Sequence, residues 1–224
     1  MLTLSADAFW NGLTRLGEAQ IMLPTALVLA VWYAGPGHSK RLAGAWLAGI
    51  VMATAVTTAS KVAFIGYGWG WPALNFTGVS GHATFAAATC PLAGIAAVSA
   101  LAGARALPWQ RAGLAFGVTL ALLVGVSRVV IGVHSWSEVL AGLAVGATAT
   151  VTALVAERMP SVHPPRWLPL VFGLWLATAQ NYAPPSTTHG WVTRLSLALS
   201  GRSEPHTRQD MLASWQRQQQ GMAP

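Results

Sequence analysis

Long apolar blocks alternate along this chain with short stretches that hold most of its charged residues. Six blocks, near 20–34, 42–65, 82–103, 112–130, 137–156 and 167–181, approach the ~20 mostly apolar residues that a helix needs to cross a bilayer core of about 30 Å. They predict an all-α bundle of six transmembrane helices. The first and last blocks are short and need flanking residues or a tilt to complete the crossing. Ahead of them, Ser5 as an N-cap, Asp7 in the first turn, and Phe9, Leu13 and Leu16 at helical spacing predict a short interfacial helix within residues 1–20. This opening lacks the basic n-region and compact apolar core of a signal peptide. Within the third block, Pro91 predicts a kink whose freed carbonyl must find another partner.

The blocks delimit a membrane-embedded domain over residues 1–181. Residues 182–224 hold Pro184 and Pro185, a mildly amphipathic stretch around Trp191, Leu195 and Leu199, and a Gln-rich end. That mixture predicts a C-terminal tail that lies on the surface or is partly disordered.

Composition supports a membrane protein, since 54% of the 224 residues are hydrophobic and only 8% are charged, against about a quarter charged in soluble domains. The formal charge of +7 is scattered between the blocks and forms no single stripe, which argues against nucleic acid as a partner. Its placement speaks instead to topology. Lys40 and Arg41, Arg105 and Arg111, and Arg158 and Arg166 fall in alternate connections, which the positive-inside rule assigns to the cytoplasm. The opposite connections then hold only Lys61 and Arg128, and both termini lie outside. Arg194, Arg202, Arg208 and Arg217 in the tail depart from this pattern.

Two inventories limit the chemistry. Cys90 is the single cysteine, so an intrachain disulfide and a cysteine-rich metal site are both excluded. The acidic residues are Asp7, Glu18, Glu138, Glu157, Glu204 and Asp210, too few and too scattered for the carboxylate clamp of a two-metal hydrolase. No metal or other cofactor is expected.

Ionisable groups in membrane segments are costly and usually functional, and under this topology they converge on one outer rim. Lys61 falls late in the second block, Ser80, Gly81 and His82 open the third, Arg128 ends the fourth, and His134 and Glu138 open the fifth. With one helical turn from His134 to Glu138, the pair faces one direction. The carboxylate can then take the Nδ1 proton and leave Nε2 as a nucleophile. Arg128 presents a planar fork suited to phosphate oxygens. The structural alternatives are a snorkelling arginine and lysine, and Ser80 as a plain helix N-cap. The functional alternative for Ser80 and Gly81 is anion binding at a helix N-terminus, with His82 as general acid. Tyr67, Trp69, Trp71 and Phe76, set among glycines, read as an interfacial aromatic belt or a lid for a lipid chain.

Together these residues resemble the three-part signature of the type 2 phosphatidic acid phosphatases, the lipid phosphate phosphatase superfamily related to the vanadium haloperoxidases. The family pattern reads K-x6-R-P, P-S-G-H and S-R-x5-H-x3-D. Ser127, Arg128 and His134 match the third part with Glu138 for Asp, and Ser80, Gly81 and His82 match the second with Val79 for Pro. The first retains Lys61, but Gly68 stands where the arginine belongs, and Asn75 and Thr77 are candidate substitute donors.

The resemblance implies a metal-independent phosphatase working through a phosphohistidine on His134, oriented by Glu138. His82 would protonate the leaving oxygen, and Lys61, Ser80, Gly81 and Arg128 would hold the phosphate. The implied substrate is a phosphorylated membrane lipid such as phosphatidate, phosphatidylglycerophosphate, a prenyl diphosphate or a lipid A phosphate. The implied place is the outer side of a bacterial inner membrane. A lipid phosphotransferase shares the first half-reaction. A non-catalytic membrane protein or transporter is the rival from another class, though a transporter places its polar groups near the bilayer midplane and not at span ends.

Overall fold

The computed structural model describes residues 6–35, 39–102, 106–157, 167, 170–171, 173–175, 177–178 and 187–221. Its helices are α1 (Ala6–Arg15), α2 (Ala19–Tyr33), α3 (Lys40–Tyr67), α4 (Gly81–Ala102), α5 (Ala106–Val130), α6 (Trp136–Ala156), α7 (Thr188–Ser200) and α8 (Arg208–Gly221). A 3-10 turn, Pro72–Leu74, lies in the α3–α4 loop, where Trp71 and Phe76 form an isolated antiparallel bridge.

Lys40–Tyr67, Gly81–Leu101, Pro108–Val130 and Trp136–Ala156 are each long and apolar enough to cross a membrane. The chain is therefore a multi-pass helical membrane protein, and these four correspond to the second through fifth predicted spans. The first is different. With 15 residues, α2 rises only ~22 Å, short of the ~30 Å hydrocarbon thickness. It qualifies only together with α1, which it meets at a 45° bend as a broken span or re-entrant pair. Among the described residues, four of the six expected spans stand, or five with that pair counted as one. Of the predicted sixth span near 167–181, residues 170–171, 173–175 and 177–178 are described and helical, whereas Arg105, Arg158, Arg166 and the domain boundary at 181 fall outside the described residues.

Helix α4 forms the centre, buried along most of its length, whereas the other spans turn most of theirs outward. Lipid supplies little hydrophobic drive between helices, so close backbone packing must hold them. Gly94 meets Gly113, and Gly117 meets the Cys90 carbonyl, so close that a Cβ on any of the three would strike the facing backbone. Pro91 has no N–H for the Ala87 carbonyl, and that carbonyl accepts from Thr150 Oγ1 of α6 at 2.9 Å. The partner required by the freed carbonyl is therefore present. Trp46 Nε1 donates to the Ala88 carbonyl at 2.7 Å and Tyr33 to the Leu92 carbonyl at 2.9 Å. Interhelical bonds of this kind are favoured where no water competes.

In the segment predicted to be a surface or partly disordered tail, the structure has α7 and α8, and α7 packs on α3. Tyr67 donates to the Leu199 carbonyl at 3.1 Å, and His206 N–H to the Ile65 carbonyl at 2.9 Å. Lys61 and Arg128, near the ends of α3 and α5, share one end of the bundle; Lys40, Arg41 and Arg111 stand near the starts of the same two helices, at the other end.

Candidate active site

At that first end a cavity of about 730 Å³ opens between α2, α3, α4, α5 and the C-terminal arm. Lys61, Gly81, His82, Arg128 and His134 line it together, as the parity of the spans predicted. The apolar Leu23, Phe64, Ile65, Phe85, Trp191 and Val192 line it as well. Glu138 and Ser80 lie fully buried behind this lining.

The chain from Arg128 to Glu138 is shaped by its backbone. Helix α5 ends at Val130, Gly132 takes φ 75°, and the N–H groups of Val133 and His134 both donate to the Arg128 carbonyl, at 3.2 and 3.1 Å. Glycine is suited to that left-handed turn, which returns the chain over the helix end. His134 then sits just before α6, whose N-cap is Ser135. The expected helical turn from His134 to Glu138 is accordingly not what brings the pair together. Instead Glu138 occupies the third position of a capping box: its carboxylate accepts from Ser135 N–H at 3.1 Å, and Ser135 Oγ accepts from Glu138 N–H at 3.4 Å. A glutamate at this position is long enough to reach back. The same carboxylate oxygen accepts from His134 Nδ1 at 2.7 Å, which leaves Nε2 with its lone pair.

Glu138 gathers more partners. Its Oε1 accepts from Thr77 N–H at 2.7 Å and from Thr77 Oγ1 at 2.6 Å. Arg208 Nη2 donates to Oε1 at 2.8 Å and Oε2 at 2.7 Å. Thr77, read from sequence as a candidate substitute donor, is directed at the carboxylate, and Asn75 accepts from Arg208 through its carbonyl at 3.2 Å and Oδ1 at 3.0 Å. His134 titrates below the ordinary histidine range because burial disfavours its charged form, against the opposing pull of Glu138.

Around Arg128 the bonding is sparser. Its Nη1 donates to Thr14 Oγ1 of α1 at 2.8 Å, while its buried Nε has no partner among the described residues. Ser80 N–H donates to the Glu138 carbonyl at 3.1 Å and its own carbonyl accepts from Thr84, yet its buried Oγ is likewise unpartnered, so the hydroxyl does not act as an N-cap. Gly78, with φ 138°, lies against the stem of Lys61, and Gly17 at the α1–α2 bend lies against His82.

Sequence reasoning missed Thr14 and Arg208. A signal for Arg208 existed, because the tail arginines broke the charge pattern. The structure also accounts for Gly68: with φ 72° it caps α3, and a Cβ there would come within 3.1–3.3 Å of the His206 ring.

The profile of the PAP2 superfamily matches residues 66–160. A protein of Klebsiella pneumoniae described as an uncharacterized 22.5 kDa protein in cps region is 32% identical over 214 residues, covering 90% of this chain and 97% of that protein. No solved structure matches. The chain belongs to the PAP2 superfamily, and its function is accordingly of the phosphatase type, a hydrolase acting on a phosphorylated substrate in a membrane setting.

Proposed function

We propose that the protein is a metal-independent lipid phosphatase in which His134 is the nucleophile. The observation that carries this reading is the 2.7 Å contact between His134 Nδ1 and the buried Glu138 carboxylate, at a cavity also lined by His82, Lys61 and Arg128. Nε2 of His134 attacks phosphorus in line, forming an N–P bond as the P–O bond to the lipid breaks. His82 gives its proton to the departing oxygen, then takes one from the water that displaces His134 and releases phosphate. Lys61, Arg128, Ser80 and the Gly81 N–H hold the equatorial oxygens, where charge must be stabilised. Among the described residues no three His, Cys, Asp or Glu side chains gather as a ligand set.

A lipid substrate is supported by the mixed lining of the cavity, whose charged and apolar residues suit a phosphate head and a hydrocarbon chain. The positive-inside rule, applied to the connections that hold Lys40, Arg41 and Arg111, supports an extracytoplasmic cavity, and the Klebsiella relative supports a bacterial inner membrane as its setting. The purified protein should release phosphate from one or more of phosphatidate, phosphatidylglycerophosphate, a prenyl diphosphate and a lipid A phosphate. Turnover should survive EDTA and be blocked by vanadate. Loss on chelation with recovery on adding magnesium or zinc overturns the mechanism, and transfer of the phosphoryl group to a second lipid without release makes the protein a phosphotransferase. Cysteines replacing the exposed Trp71 and Val133 should label from outside intact cells and one replacing Arg41 only after permeabilisation; the reverse pattern places the site in the cytoplasm.

A further inference from the structure

We propose that Arg208, delivered by the C-terminal arm, is a positioning residue that fixes the Glu138 carboxylate and, through it, the proton on His134 Nδ1. The inference rests on the reading of His134 as nucleophile and extends it to a part of the chain that the family profile, ending at residue 160, does not reach.

The guanidinium is used as a fork. Nη2 spans both oxygens of Glu138 and reaches Thr77 Oγ1 at 3.1 Å, while Nη1 holds Asn75 through two oxygens. One side chain thus ties the arm, the α3–α4 loop and the start of α6 to a single carboxylate. The arm is itself anchored. His206 N–H donates to the Ile65 carbonyl at 2.9 Å, and Thr207, whose Oγ1 accepts from Asp210 N–H at 3.2 Å, caps the helix that begins at Arg208. Arg208 therefore leaves a fixed backbone.

Charge makes this contact necessary. The Glu138 side chain is fully buried, and a buried carboxylate is stable only with a charged or multiply donating environment. His134 must be neutral to attack, so it cannot supply the positive charge in the reactive state. Arg208 can, and its planar guanidinium holds the carboxylate through Nη2 while Nη1 is fixed on Asn75, a two-point hold that the single ammonium of a lysine does not reproduce. A carboxylate free to rotate would hold the imidazole in neither one orientation nor one tautomer. The other charged or titratable groups lining the cavity with His134 are Lys61, His82, Arg128 and His189, one from each of α3, α4, α5 and α7.

The test uses the full-length protein labelled with 15N-histidine, compared with Arg208→Gln and Arg208→Lys by NMR and by kinetics on dioleoyl phosphatidate. In wild type, His134 should be the neutral Nδ1–H tautomer. In Arg208→Gln, loss of the nearby positive charge should raise the His134 titration by about 0.5–1 unit and mix the tautomers. In Arg208→Lys the titration should return toward wild type, because the charge is restored. If phosphatidate is turned over, kcat should fall about 10–100-fold in Arg208→Gln with KM little changed, as for partners one contact removed from a reacting group. Arg208→Lys should recover part of that loss. Combining Arg208→Gln with Glu138→Gln should cost no more than Glu138→Gln alone, because both act through one carboxylate. An unchanged titration and tautomer in folded Arg208→Gln, or losses that multiply in full, overturns the role of Arg208. If Arg208→Gln does not fold, Arg208→Lys decides: wild-type titration with reduced kcat supports the fork, and wild-type kcat refutes it. A protein that shows the NMR shift but hydrolyses no lipid phosphate keeps the role of Arg208 and removes the phosphatase reading.

Discussion

The two sides of the cavity differ in how completely their hydrogen bonds are made. On the Glu138 side, both carboxylate oxygens are occupied by His134, Thr77, Ser135 and Arg208. On the Arg128 side, Arg128 Nε is buried without a partner among the described residues. A buried donor or acceptor left unmade costs about 1–3 kcal/mol. A fold tolerates such a cost where something with acceptor oxygens comes to meet it. The saturated side holds one geometry, and the unsaturated side is suited to receive an oxyanion. In the proposed mechanism these are the nucleophile's support and the phosphate's seat.

Substitutions should separate the two sides. The largest effect is expected for His134→Ala, which removes the nucleophile and should lower kcat by about 10³-fold or more while circular dichroism and thermal unfolding stay near wild type. Retention of wild-type kcat would assign the attack to another group. Next is Arg128→Ala, which should weaken vanadate binding and kcat/KM by roughly 10²–10³-fold, the usual cost of losing one donor to developing charge. Equal vanadate affinity in the variant would move the phosphate seat elsewhere. Glu138→Asp should cost about 10-fold in kcat, because a shorter arm cannot reach Thr77 and Arg208 while also serving Ser135 and His134. An Asp variant as active as wild type would show that the capping contact is dispensable. Thr14→Val, which removes the contact to Arg128 Nη1, should weaken vanadate binding about 2- to 10-fold and leave the pH profile alone. A changed profile would couple the two sides that the hydrogen bonding separates.

The smallest expected effect is in pH dependence. His134 is neutral, hence nucleophilic, above its pKa, and burial sets that pKa below the ordinary histidine value. The acid limb of kcat/KM should therefore lie below the ~6.5 of a free imidazole. A limb above that value would mean that Glu138 stabilises the imidazolium more than burial opposes it.

Much of the site was legible because its parts are local in sequence or fixed by parity. Ser127 to Glu138 is one continuous stretch, and helices that cross a bilayer alternately must return Lys61, His82, Arg128 and His134 to one end. The prediction of one helical turn for His134 and Glu138 reached the right contact through the wrong local structure. A spacing of four is read as a helix, but His134 precedes the N-cap Ser135, and the capping box from Ser135 to Glu138 brings the carboxylate back to it. The first span was the least legible, since α2 is too short to cross by itself and meets α1 at a 45° bend.

The sequence by itself determined that the chain is a helical membrane protein and that the candidate site residues share one rim, because hydropathy and crossing parity are properties of the chain order. Only the tertiary structure decided what holds those residues still. Arg208 meets Glu138 across 70 positions and Arg128 meets Thr14 across 114, contacts between segments without a shared period or motif. Such pairs form where packing brings two elements together and a buried charge demands a partner. No local preference of either segment records that demand.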